Sequence, residues 1–125
     1  MEKFNETIDR RPAVAGKFYP ANVEELQKEI DIFFKNAAPK QLDRVRAIIC
    51  PHAGYVFSGK ITASAFNQID ANREYKRIFL IGSSHYKYFD KASVYCSGNF
   101  LMPYGEEKVD MDFGRKLVEN FPEWF

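Results

Sequence analysis

The run Val45–Cys50, "VRAIIC", leads into "PHAGYVFSG" (51–59) and "KITASAFNQID" (60–70), and a second apolar run, "RIFLIG" (77–82), follows. Both apolar runs are short and do not alternate with polar residues, the pattern of strands buried on both faces. Between them, "GKITASAFNQID" (59–70) places Ile61, Ala65, Phe66 and Ile69 at helical spacing. Strand, helix and strand in this order predict a βαβ unit over residues 45–85, with parallel strands and a right-handed crossover. The chain has two histidines, His52 and His85, and this reading sets both just beyond strand carboxyl ends. Open α/β sheets bind their ligands at that edge. Neighbouring strands lie about 5 Å apart, so the two imidazoles are expected to converge on one point.

Outward from this unit, "RRPAVAGKFYPAN" (10–22) is punctuated by Pro12, Gly16 and Pro20. It reads as an irregular arm over 11–22 that carries the aromatic pair Phe18 and Tyr19. Asn22, with Glu25 three residues on, has the form of a capping box for a helix from Val23 to Asn36. Leu26, Ile30, Phe33 and Phe34 form that helix's apolar face. "APKQLDR" (38–44) reads as a loop, "ASVYC" (92–96) as a third buried strand, and "NFLMPYGEEKVD" (99–110) as a short strand and turn. "MDFGRKLVENF" (111–121) reads as a final amphipathic helix capped by Asp110 or Asp112. The expected architecture is therefore α/β, a largely parallel sheet with flanking helices.

Composition narrows the function. A chain of 125 residues, 46% of them hydrophobic, suits one compact domain. With 18 basic against 17 acidic residues the net charge is +1, so no long-range field draws the chain to nucleic acid or an anionic membrane. No run of about 18 apolar residues suggests a membrane span, and the start "MEKFNETIDRR" lacks the apolar core of a signal peptide. A soluble, cytoplasmic protein is expected. Cys50 and Cys96 each close an apolar run, where a reduced cysteine behaves as a small buried hydrophobe.

Histidine at a strand end suits acid–base chemistry or metal coordination. Two imidazoles fall short of the four ligands of a structural zinc site, or of the two histidines and one carboxylate common in non-haem iron sites. Cys50, two residues before His52, is better placed in the core than on a metal. No carboxylate among Asp90, Glu106, Glu107, Asp110 and Asp112 has a spacing that ties it to either histidine. Ser83 and Ser84 are candidate hydrogen-bond donors, without a readable Ser–His–Asp arrangement. "GYVFSGK" (54–60) is not a phosphate-binding loop, because Ile61 follows Lys60 where that motif requires serine or threonine. Gly54 and Gly59 read instead as a tight turn and a close packing contact. The catalytic residues are not legible.

The blocks "RPAVAGKFYP" (11–20), "AIICPHAGYVFSG" (47–59), "RIFLIGSSHY" (77–86) and "MPYGEEKVD" (102–110), in this order, resemble the Memo family, the B component of the AmmeMemoRadiSam system. The likeness runs from about Arg11 to the end, and "PHAGY" with a downstream "GSSH" is its most specific part. Members are similar in fold to the LigB-type class III extradiol dioxygenases, which use non-haem iron(II). The resemblance implies that His52 and His85 match the two histidines of a site for iron(II) or copper. It also implies a pocket bordered by Phe18, Tyr55 and Phe57, to which the reading of the residues adds Ser83 and Ser84 as hydrogen-bond donors. Three functions follow from it: a metal-dependent oxidoreductase, a non-catalytic module that binds a peptide or small molecule in the same pocket, or a component working beside a radical-SAM protein.

The family's third metal position, a cysteine in Memo proteins and an acid in the dioxygenases, lies in a second half with no counterpart here. The resemblance therefore implies that residues 1–125 are the N-terminal part of a single Memo-like domain, either a piece of a longer protein or a shortened family member, an incomplete half of a Memo/LigB-like fold that is not expected to be catalytically competent alone. Phe121, Trp124 and Phe125 crowd the terminus, as expected of such a piece. An exposed apolar sheet face or edge is then expected, through which the chain associates with a second chain or with the missing C-terminal half.

Overall fold

In the computed structural model, which describes residues 7–125, Asn22 and Glu25 begin the first helix as the capping pattern requires. Helix α1 spans Val23–Lys35, and the Asn22 side chain accepts a hydrogen bond from the Glu25 amide at 3.0 Å. Glu24 and Glu25 in the first turn and Lys35 in the last complement the helix dipole. Helix α2 spans Tyr55–Phe66 and so starts four residues before the expected Gly59. Its first turn is made of "YVFS", which reads as loop because Gly54 offers no capping side chain. The turn is held from outside. The Tyr55 amide donates to the Phe18 carbonyl at 2.7 Å, and Ser58 Oγ donates back to the Ala53 carbonyl at 2.8 Å.

The loop after α1 is tied to α2 by polar side chains. Asn67 Nδ2 donates to the Ala38 carbonyl at 2.8 Å, Ser64 Oγ accepts from the Ala38 amide at 3.0 Å, and Gln68 Oε1 accepts from the Gln41 amide at 2.8 Å. The arm is likewise ordered by a tight turn. Gly16 adopts φ 76°, a left-handed conformation natural to glycine, and its amide donates to the Tyr19 carbonyl at 2.7 Å. These elements make up one unit, Ala13–Ile78.

The second unit comprises residues 7–12 with Phe79–Phe125. Strands β1 (Phe100–Met102) and β2 (Gly105–Glu107) form an antiparallel hairpin, with Phe100 opposite Glu107 and Met102 opposite Gly105. Helix α3 (Met111–Asn120) follows, capped by Asp110, whose side chain accepts from the Phe113 amide at 3.0 Å. Residues 8–10 run alongside 97–101 in parallel. Ile8 N donates to Ser97 O at 2.7 Å, Arg10 N to Asn99 O at 2.8 Å, and Leu101 N to Arg10 O at 2.8 Å. The Arg10 guanidinium lies over the rings of Tyr95 and Phe100, 5.6 and 5.3 Å from their centroids.

The described residues are thus mixed α/β, with three helices and a two-stranded antiparallel sheet among them, and the expectation of a largely parallel sheet is corrected. "VRAIIC", "RIFLIG" and "ASVYC" contain no strand. A strand exists only through a partner's amides and carbonyls, and among the described residues no backbone–backbone hydrogen bond reaches 45–50 or 78–82. Nor are these two runs buried as their composition suggests: Ile49, Leu80 and Ile81 are 97%, 96% and 91% exposed. "ASVYC" is packed differently, with Val94 and Cys96 against Gly114 of α3, and Cys96 is buried as expected. Cys50 is only half-buried, and both cysteines are free thiols. Buried apolar side chains among the described residues are few: Leu26 on α1, Ala63 on α2 and Cys96.

Candidate functional site

A cavity of about 400 Å³ opens in the Ala13–Ile78 unit between the arm, α1 and α2, and His52 stands in its wall. The arm contributes Phe18 and Tyr19, α1 contributes Phe33 and Phe34, and α2 contributes Tyr55 and Phe66. The arrangement follows from local chemistry. The bond from Tyr55 N to Phe18 O fastens the arm to the start of α2, and the "PHA" loop must then run past the cavity mouth. The backbone of Gly54 runs beside that of Phe18, and a Cβ at 54 would stand in ordinary van der Waals contact with it at 3.5 Å. The rings pack on one another, Tyr19 against Tyr55 at 5.5 Å between centroids and Phe33 edge-on to Tyr55 at 6.3 Å.

The cavity brings together three of the residues expected at the site, Phe18, His52 and Tyr55. Phe57 points elsewhere, being 83% exposed and no part of the lining. Ser83, Ser84 and His85 belong to the other unit, and each is exposed there. Ser84 Oγ donates to the Lys87 carbonyl at 2.5 Å and accepts from the Lys87 amide at 3.4 Å, so that serine shapes its own loop.

Several lining residues were not legible as site residues. Phe33 reads as a core position of α1, Gly59 as a close packing contact, and Thr62 and Ala63 as ordinary helix. The available signal was the spacing of Tyr55, Gly59 and Ala63, four residues apart, which sets small residues along one face of α2 where another helix can come close. Thr62 Oγ1 on this wall is buried without a hydrogen-bond partner.

Metal binding sets a stricter requirement. Among the described residues no group of three or more histidine, cysteine, aspartate or glutamate side chains is placed to hold a metal ion. The donor set within these residues therefore does not meet the need of a redox-metal site for a third protein ligand.

A histidine-walled aromatic pocket behind a "PHAGY" loop describes a class of protein, and comparison with known proteins says which. The Memo-like protein family model matches residues 10–123, and the chain belongs to that family. It is 36% identical over 117 residues to the MEMO1 family protein MHO1 of Saccharomyces cerevisiae, a match that covers 90% of this chain and 35% of the yeast protein. A MEMO1 family protein of Aquifex aeolicus is 34% identical over 110 residues, covering 88% of this chain and 40% of its own length. One from Aeropyrum pernix is 37% identical over 119 residues, covering 88% and 42%. The chain spans about two-fifths of the length of the curated relatives it matches. Among the described residues, no helix is long and apolar enough to cross a membrane.

Proposed function

We propose that this chain carries the ligand pocket of a Memo-like protein and acts as a binding module for a small molecule or an apolar side chain of a peptide. The carrying observation is the cavity with His52 in its wall. Its volume of about 400 Å³ falls within the roughly 300–1,000 Å³ usual for small-molecule sites. Aromatic rings line it on three sides, so a ligand is held by its apolar body. A single imidazole at the wall can donate or accept one orienting hydrogen bond. Indole is a suitable probe. Titrating it into the full chain is expected to shift the Ala63 methyl and His52 ring resonances. Phe18→Ala is expected to weaken that binding about tenfold, a loss of about 1.4 kcal/mol for one aromatic wall. Resonances of Ala63 and His52 that stay in place at saturating indole would remove the reading.

A second reading rests on the exposure of both histidines, which keeps their rings within reach of a ligand. In it His52 and His85 supply two ligands to a non-haem iron(II) or copper centre of a metal-dependent oxidoreductase, completed by a ligand from outside the described residues. Two imidazoles alone hold a metal weakly, so this chain is expected to be inactive by itself. After gel filtration the chain is expected to retain well under one equivalent of iron or copper, and His52→Ala and His85→Ala each to abolish what is retained. Equal metal content in both variants and the parent would sink this assignment.

The bare apolar runs support a third element of the proposal, a protein partner. Residues 47–50 and 78–81 are each read as surface that a second polypeptide covers, one equivalent to the part of the relatives that this chain does not match.

A further inference from the structure

We propose that Phe33, seated over Gly59, sets the size of the molecule that the cavity accepts, and that the ligand class is an uncharged aromatic of about two rings. The inference rests on the pocket reading above and deepens it. Gly59 is buried on α2, and a Cβ built there would stand 2.3 Å from Phe33 Cε2 and 2.5 Å from Cζ. Carbon atoms in contact are normally about 3.5–4.0 Å apart, so the Phe33 ring fills the volume that any other residue at 59 would claim. Both residues line the cavity. Phe33 is also edge-on to Tyr55, which closes another side of the ring. A methyl group at 59 therefore displaces the free end of the Phe33 side chain rather than backbone, and the open space left to it is the cavity.

The chemistry of the walls gives the ligand class. Six aromatic side chains face the space: Phe18, Tyr19, Phe33, Phe34, Tyr55 and Phe66. Charged or highly polar molecules would lose more hydration than the few polar groups of these walls, His52, Ser58 and Thr62, can replace, whereas flat apolar rings find offset and edge-on partners. The three heavy atoms nearest to a Cβ at Gly59, where α2 has no side chain, all belong to the Phe33 ring. Phe33 is thus the ring whose placement a single small substitution controls.

The test uses the full chain with two neutral probes, indole and the larger N-phenyl-1-naphthylamine. Affinity is read from the Ala63 methyl resonance, so that dye held on the exposed apolar runs is not counted. Gly59→Ala is expected to weaken the larger probe at least tenfold and indole less. Phe33→Leu is expected to raise the affinity ratio of larger to smaller probe at least fivefold, and combined with Gly59→Ala to cancel the effect of the latter. Thermal melting reports whether each variant folds, and if Gly59→Ala does not, the Phe33→Leu ratio decides. Wild-type binding with an unchanged ratio in Phe33→Leu overturns the assignment of Phe33 while leaving the pocket intact. Absence of any Ala63 shift in the wild type overturns the pocket reading and this inference with it.

Discussion

Gly98→Val is expected to destabilise the unit of residues 7–12 and Phe79–Phe125 by about 3 kcal/mol or more, enough to unfold a marginal domain. Even a Cβ at 98 would lie 2.2 Å from the Ile8 carbonyl oxygen, 2.5 Å from its carbon and 2.9 Å from the Asp9 nitrogen. All three are backbone atoms, so no side-chain rotation relieves the overlap and residues 7–10 must move away. They would take with them the bonds Ile8 N to Ser97 O and Arg10 N to Asn99 O, and the one from the Asn99 amide to Asp9 Oδ1 at 2.8 Å. Each is worth about 1 kcal/mol, and overpacking adds about 1–3 kcal/mol. The Tyr95 hydroxyl, which donates to the Ile8 carbonyl, would lose its acceptor as well. Amide exchange at Ile8 and Arg10 should rise sharply in the variant. Gly82→Ala is the matching control, because nothing lies within 4 Å of a Cβ at that position. Equal exchange rates in Gly98→Val and the parent would mean that residues 7–10 are not held as described.

Lysine at Ile49, Leu80 and Ile81 is expected to leave this chain's stability within about 0.5 kcal/mol, since these side chains are almost wholly exposed. The same triple variant is expected to lose more than 100-fold in association with the polypeptide equivalent to the unmatched part of a relative. Burying one leucine or isoleucine side chain contributes about 1.5–3 kcal/mol, and placing an unpaired ammonium group at such a contact adds a cost of its own. The measurement is co-purification and titration of this chain with the unmatched segment of the Aquifex aeolicus relative supplied as a separate polypeptide. Amide protection over 47–50 and 78–81 on mixing would mark the contact. Tight association that survives all three lysines would show that the runs are not the contact surface.

The helices were legible because their bonds are local. Asn22 with Glu25, and Asp110 ahead of an amphipathic run, announce α1 and α3 to within a residue or two, since each cap joins residues three apart. The start of α2 was not legible, because what holds its first turn is the carbonyl of Phe18, thirty-seven positions earlier in the chain. The apolar runs misled for the opposite reason. "VRAIIC" and "RIFLIG" have the composition of buried strands, but composition states a preference for a pleated, covered environment and not the presence of the chain that supplies it. Of the residues expected at the site, Phe18, His52 and Tyr55 line one cavity, whereas Phe57 faces out and Ser83, Ser84 and His85 belong to the other unit.

The amino-acid order by itself determined the family, through "PHAGY", "GSSH" and their flanking blocks, and the capped helices α1 and α3, through caps and helical periodicity. Only the tertiary structure decided which rings share the His52 cavity and that the Phe33 ring rests where Gly59 has no side chain. Those contacts join residues far apart in sequence, and their strength depends on distances of a few tenths of an ångström that no local pattern encodes.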